Sequence, residues 1–167
     1  MRDYYILDDD RGLTAPSPKE ILGEWCYEQY KGGAVSKIKI TSTASTYMMH
    51  RPGEVIRQAL TIRNDGRVAL TSFEGVGIKF NALDSRNFDY DPAVTGDVIY
   101  GIRTFFESKH ESQDVMDAGE WEIVIIDEDG NRFKQAGSMG FDEDLATLSH
   151  FIRNKLDMKL FLFDGEE

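Results

Sequence analysis

Residues 125–133 read IIDEDGNRF, and the first chemical question is whether their oxygens hold a cation. A helix–loop–helix calcium site takes oxygen ligands at positions 1, 3 and 5, glycine at 6 and glutamate at 12. Counted from Asp127, Asp129 and Asn131 fill positions 3 and 5, but position 6 is Arg132 and position 12 is Ser138. The flanking runs alternate as strands do. Asp129-Gly130 is instead a favoured hairpin pair, because both residue types tolerate positive φ. The expectation is a turn.

Asp8, Asp9 and Asp10 form a second carboxylate group. Joined in space by Asp127 or Asp129, they would make a magnesium or calcium site, and a small metal-dependent enzyme or metal-binding protein is the alternative reading of the chain. Aspartates at a strand end more often lead into a polar turn. The primary reading therefore expects no metal and no cofactor.

Nucleophilic catalysis requires a nucleophile and an oriented base. Cys26 is the single thiol, and the candidate bases are His50, His110 and His150. Cys26 follows Trp25 on the apolar face of an expected helix, where a free cysteine behaves as a small buried hydrophobe. No Gly-x-Ser-x-Gly elbow and no glycine-rich phosphate loop occurs. One cysteine also rules out an internal disulfide framework and suits a reducing, cytoplasmic compartment.

Charge is the stronger signal. The chain carries a formal net charge of −11, distributed as about +1 over residues 1–83 and −10 over residues 84–130. Such a segment repels phosphate backbones, so direct nucleic-acid binding is not expected. It suits a basic partner. Asp89, Asp91, Asp97, Glu107, Glu111, Asp114 and Asp117 are the carboxylates assigned to that interaction. Arg51, Arg57, Arg63 and Arg67 gather in the first half. Arg57 and Arg63 are an even number apart and share one face of a strand without a bulge. A basic sheet face opposed to an acidic helical face would favour oriented docking.

The elements that position these residues follow from periodicity. Tyr4, Tyr5, Ile6 and Leu7 read as a strand. Ser17, Pro18 and Glu20 open a helix with a capping box, its apolar face being Ile21, Leu22, Trp25 and Cys26, and Gly32-Gly33 ends it. Alternation then sets in from Val35, with Asp65-Gly66 between two apolar runs, giving an antiparallel meander of three or four strands. Residues 75–92 read as irregular. Val94, Val98, Ile99, Ile102, Phe105 and Phe106 make a helical stripe. A hairpin crosses Asp129-Gly130, a third helix opens at Asp142, and the run KLFLF reads as a last strand.

The expectation is an α+β single domain in which an antiparallel meander and hairpins pack with about three helices. A weak echo links halves 1–83 and 84–167. No apolar run reaches the roughly 20 residues of a membrane-spanning helix, and the first residues do not read as a signal peptide. These features point to a non-catalytic intracellular protein-binding module of inhibitor, immunity or adaptor type. Its acidic second half would dock a basic surface, such as that of a nucleic-acid-binding protein.

Overall fold

The computed structural model describes residues 28–44, 51–76, 78–110, 118–140 and 142–165. The expected strand at Tyr4–Leu7, the helix opening at Ser17, the Asp8–Asp10 run, Cys26 and His50 lie outside the described residues. The chain is α+β. Six strands form one antiparallel sheet: β1 (Val35–Thr43), β2 (Arg57–Arg63), β3 (Arg67–Val76), β4 (Lys79–Asp89), β5 (Glu120–Asp127) and β6 (Arg132–Ser138). Their spatial order is β4-β3-β2-β1-β5-β6.

Two helices occur among the described residues, α1 (Pro92–Glu107) and α2 (Glu143–Leu156), rather than about three. The end of the first expected helix, residues 28–33, is not helical. Tyr30 N donates to Phe106 O at 2.6 Å, and its ring meets Phe133 edge-on at 5.6 Å. These tertiary contacts replace the last helical turn.

Each element has a local cause. Asp91 caps α1 by accepting from Ala93 N at 2.9 Å, and Pro92 occupies the first turn. Asp142 caps α2 by accepting from Asp144 N and Leu145 N. The Asp65-Gly66 and Asp129-Gly130 turns both form, as loops of three and four residues. Gly66 is fixed twice over: its φ is 98°, and an added Cβ would collide with Tyr90 O.

Register places the core. Ile38 pairs with Ile62 and Ile125, while Ile40 pairs with Leu60 and Ile123. All of these are buried and face the helices, where Val98, Ile102, Phe106, Leu145, Ile152 and Leu156 meet them. Burying each such side chain is worth about 1.5–3 kcal/mol. Alternate residues of the same strands face away from the helices.

Two segments differ from the sequence reading. Residues 79–89, expected to be irregular, form β4. The β3–β4 register shifts between Ser72 and Phe73, which flips the alternation midway through β4. As an edge strand exposed along most of its length, β4 also has no apolar period to read.

The KLFLF run is not a strand. It leaves α2 through Asp157 in the left-handed region and is buried from Leu160 to Phe163. Side chains satisfy its backbone in place of a neighbouring strand. Arg153 Nε donates to Leu160 O at 2.7 Å and Arg153 Nη2 to Phe161 O at 3.1 Å. Gln58 Oε1 accepts from Phe161 N at 2.7 Å, and Ser149 Oγ accepts from Phe163 N at 3.2 Å.

Candidate functional site: two charged faces

The described acidic residues singled out in the sequence divide between the outward face of the sheet, which carries Asp89, and the helical layer. Asp89 closes β4 and stands opposite Arg67. Asp91 is committed to the α1 cap. Asp97 Oδ2 lies 3.0 Å from Lys155 Nζ, and Glu107 Oε2 lies 3.1 Å from Arg103 Nε. Sixteen residues of helix separate Asp91 from Glu107, about 24 Å at 1.5 Å per residue. Asp89 and Asp91 are near in sequence but belong to different layers, and Glu107 stands at the far end of α1 from Asp91. Glu111, Asp114 and Asp117 lie outside the described residues.

Glu143 and Asp144, which sequence reasoning passed over, join the Glu107 end. The Asp97–Lys155 pair and the 3.9 Å approach of His110 Nδ1 to Asp144 Oδ2 show that α1 and α2 run antiparallel. The start of α2 thus lies beside the end of α1. In the sequence these two acids read as helix-start residues favoured by the macrodipole, a signal that carries no functional meaning. His110 is held locally, stacked on Phe105 at 3.9 Å between ring centres and bonded through Nε2 to Phe105 O.

The aspartates of the alternative metal reading are not gathered among the described residues. Asp127 is buried, and its carboxylate accepts from Asp129 N, Asn131 N and Asn131 Nδ2 at 2.9, 2.8 and 3.1 Å. Burial alone would raise its pKa. The N–H donors of Asn131, Asp129 and Gly33 outweigh burial and hold it below the ordinary carboxylate range. This carboxylate braces the turn. Asp129 is exposed, and no group of three His, Cys, Asp or Glu residues positioned for a metal occurs among the described residues.

The opposite face of the sheet has the other sign. Lys37 and Lys39 of β1, Arg57 and Arg63 of β2, Arg67 of β3, and Arg132 and Lys134 of β6 alternate with the core residues and so point away from the helices. Arg57 and Arg63 share this face, as their even spacing implies. Asp89, Glu120 and Glu122 are the strand carboxylates on it, and Asp65 stands in the adjoining turn. Seven cations thus face four carboxylates.

Between them lie short side chains: Thr41, Ala59, Thr61, Ala69 and Thr71, all half-buried. A concavity of about 470 Å³ opens at one corner, lined by Thr61, Arg63, Arg67, Ala69, Asn87 and Asp89 among others. Asp65 serves two guanidinium groups there, at 3.3 Å from Arg63 Nε and 4.0 Å from Arg67 Nε. The Arg67 amide, then the two arginines, hold its carboxyl below the ordinary range.

Among the described residues, carboxylates stand at the helix ends and seven cations on the outward face of the sheet. No protein-family model matches the chain, and no curated protein matches it. No helix among the described residues is long and apolar enough to cross a membrane.

Proposed function

We propose that the protein is a non-catalytic binding module of inhibitor or adaptor type, whose acidic helical layer docks a basic surface of a partner protein. What supports the reading is the separation of sign between the layers. The helical side exposes Asp91, Asp97, Glu107, Glu143, Asp144 and Asp157 against Lys109, Lys155, Lys159 and the partly exposed Arg103. The seven outward cations lie on the far side of the sheet. A carboxylate array on packed helices approaches a basic groove with little ordering cost, and complementary fields orient the encounter. A nucleic-acid-binding protein is the fitting partner class, since its groove is built for anions.

Titrating a ten-residue oligolysine peptide into isotope-labelled protein tests this directly. Perturbed amide signals along α1 and the first turn of α2, fading as salt rises, are the expected result. Perturbations that leave α1 and α2 unchanged would remove the proposal.

A further inference from the structure

We infer that the sheet face turned away from the described helices is a second docking surface, and that its occupant is an acidic protein segment. The inference does not depend on what the helical layer binds. Three observations carry it.

The first is charge. Lys37 stands directly opposite Arg63, so two cations face each other across β1 and β2. Across β5, Ile126 pairs with both Lys37 and Arg132, and Val124 with both Lys39 and Lys134. One row of cations therefore crosses the sheet from Arg67 on β3 to Arg132 on β6, over about 19 Å at the usual strand spacing, and a second, shorter row joins Lys39 on β1 to Lys134 on β6. Lys37 and Lys39 make no ion pair among the described residues, and the chain as a whole is strongly acidic. Like charges opposed across a ladder work against the sheet. An anionic partner would relieve them.

The second is shape. The short side chains between the cations let another backbone approach closely, and the 470 Å³ concavity at the Arg63–Arg67 corner, where Asp65 already meets both guanidinium groups, leaves room for a partner's carboxylate. Planar guanidinium forks suit that group.

The third decides between acidic protein and nucleic acid. Single-stranded nucleic acid is gripped by bases stacked on exposed aromatic rings. Among the described residues this face exposes none: Phe73 and Phe80 are half-buried, and the Arg57 guanidinium lies 3.8 Å over the Phe80 ring. The first described residues, Glu28 and Tyr30, are anchored away from this face. Glu28 bonds Gln135 and Tyr30 bonds Phe106, both on the helical side.

The test uses the full chain and a fluorescent ten-residue oligoglutamate peptide, with an oligothymidylate of equal length as comparison. Saturable peptide binding that weakens with salt is expected. Lys39→Glu together with Arg63→Glu should weaken it about tenfold or more, whereas Asp97→Lys with Glu143→Lys on the helical layer should not weaken it. Absent peptide binding, tighter binding of the oligothymidylate, or equal loss in the helical-layer variant would each overturn the inference. Access is measured separately with Thr61→Cys in a Cys26→Ser background. Rapid thiol labelling, slowed by the peptide, is expected; a thiol already shielded in the free protein would show the face to be covered.

Discussion

Lys37 and Arg63 form the terminal cross-strand pair, of like charge, between the two central strands of the sheet. Arg63 has Asp65 at 3.3 Å, while Lys37 has no ion-pair partner among the described residues. Opposed like charges cost a ladder up to about 1 kcal/mol relative to a neutral pair. Replacing Lys37 by threonine should therefore raise stability by about 0.5 kcal/mol, read as a higher urea midpoint with an unchanged slope. The same change should weaken binding of the acidic peptide. A residue that lowers stability while supporting binding is placed for its partner.

Arg153 holds the end of the described chain. Its guanidinium donates to two carbonyl oxygens and pairs with Asp164 in a buried setting. Arg153→Met keeps the volume but leaves Leu160 O, Phe161 O and the Asp164 carboxylate without this donor. Loss of one partner from such a set costs about 3–5 kcal/mol. Chemical denaturation should show that loss, and hydrogen exchange should show opening concentrated in residues 158–165.

Gly66 cannot accept a side chain at its φ of 98° without displacing Tyr90 O. Gly66→Ala should destabilise by about 2 kcal/mol, combining left-handed backbone strain with that collision. Gly130 has φ 87° but nothing within 4 Å of an added Cβ, so Gly130→Ala should cost about 1 kcal/mol. Comparing the two separates strain from contact.

Acid lability should trace to Asp127. Its folded-state pKa is depressed, so above the unfolded-state pKa its ionised form contributes stability in full. As pH falls through the ordinary carboxylate range and on through the folded-state value, the unfolded chain binds the proton first and that stability is lost. Asp65, also depressed, adds in the same direction. In Asp127→Asn, thermal melts across the acid range should start lower and fall less steeply than in the parent protein.

Much of the fold was legible in the sequence. Alternation from Val35 onward marked the meander, the two Asp-Gly pairs marked the hairpins, and Asp142 with the apolar stripe marked α2. What failed was whatever depends on distant partners. β4 was hidden by its bulge and its exposed edge. KLFLF looks locally like a strand, yet Arg153, Gln58 and Ser149 satisfy its backbone without a ladder.

The site was legible in sign more than in place. Counting carboxylates found Asp97 and Glu107, but it did not reveal that each is ion-paired or that a helix length separates Glu107 from Asp91. The parity of Arg57 and Arg63 gave one face of β2. Only the pairing of β1 with β5, more than eighty residues later, brings Lys134 and Arg132 onto the same surface as Lys39.

The measurement that bears most directly on the two-faced account is capture from native host lysate with three baits. These are the parent chain, a variant reversing Asp97, Glu107, Glu143 and Asp144, and a variant reversing Lys39, Arg63 and Lys134. A basic protein should be retained by the parent at low salt, lost with the first variant and kept with the second. Retention of the same protein by the helical-layer reversal would contradict it.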